Sequence, residues 1–273
     1  MEMSSYLIIL MLSIVVGALS IAPGSGNGGM NTMRAVEKRD EEPNAKYFRE
    51  ADFNSHYDKR FGIRQLFYYD QKSHLSTLIR AYLTVMDRIG VETWLMHGSL
   101  LGWYWNHKIM PWDPDLDVQI SERSMQYLSK HYNMTTHRVE LPSIGESREF
   151  LLEVNPNWTN SSVIDTENKI DARWLDTTTG LYVDITALRR DEKAGVEGVQ
   201  GTFMCKDGHR YKDTDIFPLL ESTFEDVPVR VPFAYANVLI DEYGNKSLSD
   251  TVYNNHEFDD VLKEWLPLPQ WWF

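Results

Sequence analysis

HGSLLGWYWNHKIMPWDPDLDVQI, residues 97–120, sets three aspartates two residues apart behind a Gly-Ser pair and a tryptophan-rich segment. On a strand, residues i and i+2 share a face, so Asp115 and Asp117 project side by side from DLDVQI. Carboxylates held that close repel one another unless a cation sits between them. Hard divalent ions such as Mg²⁺ or Mn²⁺ suit such oxygen ligands. Upstream, Gly98 and Ser99 stand where a strand turns into a helix, and backbone N–H groups there favour a phosphate. A phosphate cradle beside metal-binding carboxylates makes a phosphoryl-transfer constellation.

The flanking sequence supplies the elements. Leu75, Leu78, Ile79, Tyr82, Leu83 and Met86 recur at helical spacing from Lys72 until Gly90 offers a stop. VETWLM (91–96) reads as a strand, SLLGWYWN as a short helix, and DLDVQI (115–120) as an alternating strand. Ser121 and Glu122 can cap the helix ERSMQYLSKHY. REFLLEV (148–154), KIDARWLD (169–176) and LYVDITAL (181–188) read as strands, the last two forming a hairpin around TTTG. TFEDVPVRVP holds one further strand, and Pro232 opens a helix that ends at Gly244. This order predicts an α+β (mixed α/β) fold, with a mixed sheet flanked by helices.

A third carboxylate is wanted at a site of this kind. Asp184, an acid inside the apolar run LYVDIT, is the best candidate, because an unpaired charge there would be costly. It reads as a third metal ligand, as a base polarising the attacking hydroxyl, or as a solvent-facing strand residue. Asp171 is a weaker candidate on the same grounds. Arg173, on the run leading to Asp184, suits either a phosphate or a site carboxylate. His97 and His107 read as structural histidines, and Trp103, Trp105 and Trp112 as core aromatics. Lys206, His209 and Arg210 form a basic cluster that could meet a phosphate. The closing WLPLPQWWF is a hydrophobic tail.

The chain has 273 residues, 42% hydrophobic, which is enough for one mixed domain with small additions. Its formal net charge of −13 argues against nucleic acid as a partner, because phosphate backbones need clustered basic charge. Residues 5–22 are apolar without a charge, so residues 1–22 read as a signal peptide or signal anchor, which leaves a membrane anchor open. Residues 23–50 are rich in Gly, Asn and charge and read as a flexible stem, leaving 51–273 as the domain. Sequons at Asn133, Asn157, Asn160 and Asn245 fit entry into the secretory pathway, either to the Golgi lumen or to the exterior. The single cysteine, Cys205, reads as a free buried thiol.

Residues 97–120 resemble the signature of the LicD family: an HG(T/S)LLG start, a basic residue, then a PWDxDxD run. NKIDARWLDTTTGLYVDIT, CKDGHRYKDTDIFPL and VPVRVPFAYANVLIDEYGN are similar to its fungal mannosylphosphorylation branch, so the likeness spans roughly residues 55–250. The resemblance implies a nucleotidyltransferase-like core in which a Gly-Ser turn precedes a two-aspartate strand, with a third acid on a neighbouring strand. It implies transfer of a phosphorylated group from a nucleoside diphosphate donor to a hydroxyl, with mannosyl phosphate from GDP-mannose as the leading choice and a glycan as acceptor. By position, Gly98 and Ser99 would cradle donor phosphate, Lys108 would neutralise it, and Asp115, Asp117 and Asp184 would form the metal site, with Asp113 as an additional ligand or a support behind them. Pro114 departs from the family pattern beside Asp113. A phosphocholine or alditol-phosphate transferase acting on a small molecule or glycan, a DxD glycosyltransferase, and a non-catalytic regulator of a partner transferase are the alternatives.

Overall fold

The computed structural model describes residues 45–141, 146–196 and 200–269. A short hairpin, β1 (Glu50–Ala51) and β2 (Asn54–Asp58), leads to helix α1 (Tyr68–Arg88) and strand β3 (Thr93–Leu95). Helix α2 (His97–Asn106), strand β4 (Asp117–Ser121) and helix α3 (Glu122–His131) follow. Next come β5 (Thr135–Leu141), β6 (Glu146–Val154), β7 (Ala172–Asp176) and β8 (Tyr182–Arg190). Helix α4 (Glu192–Val196), strands β9 (Thr202–Met204) and β10 (Arg210–Lys212), and the single turn α5 (Asp213–Ile216) complete this part. A hairpin of β11 (Leu220–Phe224) and β12 (Val227–Val231) precedes helix α6 (Tyr235–Tyr243). Strands β13 (Val252–Tyr253), β14 (His256–Asp259) and β15 (Glu264–Pro267) form a small separate sheet.

Eight strands make one mixed sheet, in the order β3-β4-β8-β7-β6-β5, with β9 and β10 continuing from the end of β8. The β4–β8 pair is parallel, whereas β8 pairs antiparallel with β7 and β9. Helix α1 covers this sheet with the stripe its sequence predicts: Leu75, Leu78, Ile79, Tyr82 and Met86 are all buried. Tyr82 meets Trp174 of β7 edge-on, and Trp174 stacks on Phe150 of β6. Ser121 caps α3 as its sequence predicts, its Oγ accepting the Ser124 N–H.

The register lays a row of charge across the middle of the sheet. Asp117 on β4 faces Asp184 on β8, Asp184 faces Arg173 on β7, and Arg173 faces Glu153 on β6. Paired residues in adjacent strands share a face, so these four side chains stand on one side. The chain before α1 packs against the row: the Tyr47 hydroxyl donates to Glu153, Arg60 bonds both Glu153 and Asp58, and the Phe48 ring lies 4.7 Å from the Arg173 guanidinium.

Two sequence readings change and one strand is new. Phe48 is buried, so the domain takes in residues that composition assigns to the stem. TFEDVPVRVP contributes to two strands, turning at Glu225 and Asp226, both at positive φ. THRVEL belongs to an edge strand, β5, hidden in sequence by its polar residues. The proposed signal segment and most of the stem lie outside the described residues, as does the end of the tail. Among the described residues, no helix is long and apolar enough to cross a membrane.

Candidate active site

The carboxylates are placed by backbone hydrogen bonds. The Asp184 N–H donates to the Leu116 carbonyl and the Met96 N–H to the Asp117 carbonyl. The Ser99 Oγ accepts the Asp117 N–H at 2.9 Å, tying the start of α2 to the start of β4. Gly98 lies against Asp113: a β-carbon there would stand 2.5 Å from Asp113 Oδ2. Asp113, Asp115 and Asp117 line one cavity of about 390 Å³, together with Gly98, Trp112 and Lys246.

Burial raises the Asp113 carboxyl, and its hydrogen bond and repulsion with Asp115 raise it further. Burial also raises Asp117; His97 pulls the other way, while Asp115, Asp184 and Glu242 add to the rise. Asp184 is raised by burial against the pull of Arg173, whose Nε donates to its Oδ1 at 2.7 Å. Arg173 also reaches Glu50 at 3.0 Å and lies 3.7 Å from the centre of the Tyr182 ring. Asp113, Asp115 and Asp117 offer hard oxygens, of the kind a divalent cation takes, along one cavity wall, and Asp184 stands outside that lining. The ligand atoms that lie within 4.8 Å of one another among the described residues are those of His97, His209 and Glu242.

His97, at φ 51 on the first residue of α2, belongs to a second polar cluster. Its Nδ1 lies 3.0 Å from Glu242 and its Nε2 3.4 Å from Asp207. Burial alone would discharge the ring, but these two carboxylates outweigh burial and hold it protonated. The cationic ring offsets part of the charge on Asp117. Glu242 and Asp207 were not visible as site residues in the sequence, because they come from α6 and the β9–β10 turn.

Other sequence candidates stand elsewhere. Lys108 pairs with Glu264 at 2.8 Å and does not line the cavity. His107 lies at the end of α2, its Nδ1 2.8 Å from the Thr223 carbonyl oxygen. Asp171 is buried away from the other aspartates, paired with Arg189 and Lys206 at 3.0 Å each. Lys206 is thereby committed, as are His209 to Asp207 and Arg210 to Asp191. Trp103 is core, whereas Trp105 and Trp112 also line the cavity. Cys205 is a free buried thiol that accepts a hydrogen bond from Gln119. Asn133, Asn160 and Asn245 are exposed, and Asn157 is half-buried.

A mixed sheet whose parallel pair carries facing carboxylates, next to a helix opened by Gly-Ser, is the arrangement that the LicD resemblance implies. The chain belongs to the LicD family: residues 90–234 match its profile, described as LicD/FKTN/FKRP, nucleotidyltransferase domain. It is 32% identical over 169 residues to mannosyltransferase regulator 4 of Saccharomyces cerevisiae, covering 58% of this chain and 14% of that protein. It is 37% identical over 117 residues to mannosyltransferase regulator 14 of the same yeast, covering 43% of this chain and 12% of that protein. The chain therefore matches only a small part of either relative's length.

Proposed function

We propose that the chain is a metal-dependent transferase that passes mannosyl phosphate from GDP-mannose to a glycan hydroxyl in the secretory pathway. The observation that carries this reading is the facing of Asp117 and Asp184 at one register, beside Asp115 and the Gly98–Ser99 helix start. Asp115, Asp117 and Asp184, with Asp113 in support, would hold Mg²⁺ or Mn²⁺; the ion, when bound, neutralises phosphate oxygens of the donor. The acceptor oxygen bonds to the sugar-bearing phosphorus, and the P–O bond to the leaving GMP breaks. Arg173 fixes the orientation of Asp184 as third ligand, and the hydroxyl proton leaves to solvent as the P–O bond to the acceptor forms.

A second reading has a specific support: both yeast relatives carry the name of regulators, so this domain would instead bind a donor or a partner transferase without turnover. One assay separates the two. The purified full chain is incubated with Mn²⁺ or Mg²⁺, a glycan acceptor and GDP-mannose, CDP-choline or CDP-ribitol, and the released nucleotide is identified by chromatography. GMP release that falls about a thousandfold in Asp115→Ala/Asp117→Ala is expected. CMP would keep the chemistry and change the substrate. GDP would replace phosphosugar transfer with glycosyl transfer. A folded protein that releases nothing from any donor would favour the regulator.

A further inference from the structure

The matched family region ends at residue 234, yet much of the cavity wall comes from the chain beyond it. Lys246 lies on the 3-10 turn Asn245–Leu248 that follows α6. Helix α2 fixes that turn: the Trp105 Nε1 donates to the Ser247 carbonyl at 3.0 Å and the Tyr104 hydroxyl to the Leu248 carbonyl at 3.1 Å. Tyr253 of β13 sets its ring 5.3 Å from that of Trp112, and Trp265 of β15 sets its ring 5.0 Å from the same indole.

Charge picks out Lys246. Four acids line the cavity (Asp113, Asp115, Asp117 and Asp250), and Lys246 is the cation among the described lining residues. Other nearby cations are committed: Lys108 to Glu264, and Arg173 to Asp184 and Glu50. Lys246 has no ion-pair partner among the described residues. An exposed ammonium that lines the same cavity as a carboxylate cluster suits a ligand that carries negative charge and bridges the two, with the carboxylates meeting it through a cation. The Trp112–Tyr253 pair offers a partly open aromatic wall for a planar base or a sugar ring. A volume of about 390 Å³ lies within the usual range for a small-molecule site.

We infer that the segment after residue 234 completes the donor site, with Lys246 binding the diphosphate of a nucleoside diphosphate ester and Tyr253 packing against its base or sugar. This inference rests on the transferase reading above. The test is a titration of tryptophan fluorescence in Mg²⁺, on the full chain, with the diphosphates of guanosine, cytidine and uridine and with the parent nucleosides. Lys246→Ala should weaken the preferred diphosphate about tenfold and leave its nucleoside unchanged, while Lys246→Arg should restore binding to within about threefold. Tyr253→Ala should weaken diphosphate and nucleoside alike, and Lys108→Ala should change neither. Unchanged melting temperatures would show that each variant is folded, and Lys246→Ala leaves the sequon at Asn245 intact. If the wild type binds a diphosphate and Lys246→Ala binds it equally well, the role of Lys246 falls and the transferase reading stands. If the wild type binds none of the three, both fall.

Discussion

Gly98 and Gly180 are both intolerant of a side chain, for different reasons and with different consequences. At Gly98 the clash is with the carboxylate end of Asp113, which can swing away. Gly98→Ala should therefore melt within a few degrees of the wild type and lose about tenfold in metal-dependent turnover, because the displaced group belongs to the proposed metal site. At Gly180, φ is +83° and a β-carbon would stand 2.4 Å from the backbone nitrogen of Gly62, which has nowhere to go. Gly180→Ala should cost about 2–4 kcal/mol in urea unfolding. The role of Lys108 was the least legible at this scale. It is the first basic residue after the Gly-Ser turn, but Gly102 lets the Lys108 carbonyl press against α2, and the side chain pairs with Glu264. Lys246, far along the chain, carries no local mark of its place.

At the scale of elements, the charged row across β4, β8, β7 and β6 must be read as a unit. Arg173 is 3% exposed and stands between Asp184 and Glu50, so Arg173→Met would strand two poorly hydrated carboxylates. A loss of about 3–5 kcal/mol is expected, measurable as a lower urea midpoint. The Glu50 carboxyl is raised by burial, but its bonds to Lys46 and Arg173 outweigh this and hold it below its ordinary 4.5. A lowered folded pKa contributes stability that is complete above 4.5 and is lost as pH falls through the folded value. Wild-type stability should therefore drop more steeply than that of Glu50→Gln below about pH 4.5, as read from urea midpoints. Much of the fold was legible in periodicity: the apolar stripe of α1 and the TTTG hairpin stand where the residues put them. The strand read over 115–120 starts only at Asp117, so Asp115 precedes it, and Val118, Gln119 and Ile120 are buried in succession rather than in alternation because β4 lies inside the sheet between β3 and β8. β5 was not legible, because Thr135, His137 and Val139 alternate with more exposed neighbours on a largely polar edge strand. The pairing of Asp117 with Asp184 was legible only as two acids on separate strands, since parallel register is set by the crossover between them.

For the whole molecule, metal and fold should be linked. A cation that binds only the folded chain adds stability, about 2.7 kcal/mol at a hundredfold excess over its dissociation constant. Saturating Mn²⁺ should raise the melting temperature by roughly 5–10 °C, EDTA should reverse the rise, and Asp115→Ala/Asp117→Ala should show neither. The cavity is also a property of the whole chain. Three of its carboxylates, Asp113, Asp115 and Asp117, lie together in the middle of the sequence, whereas Lys246, Asp250, Tyr253 and Trp265 come from the segment after residue 234. The pairing of Asp117 with Asp184 carries one more consequence, for heredity rather than chemistry. Successive residues on a strand alternate faces, so gaining or losing one codon within either strand would send an aspartate to the opposite side of the sheet. Among descendants of this gene, β4 and β8 should exchange letters freely at some positions while keeping their count, and length variation should collect in the loops beyond them.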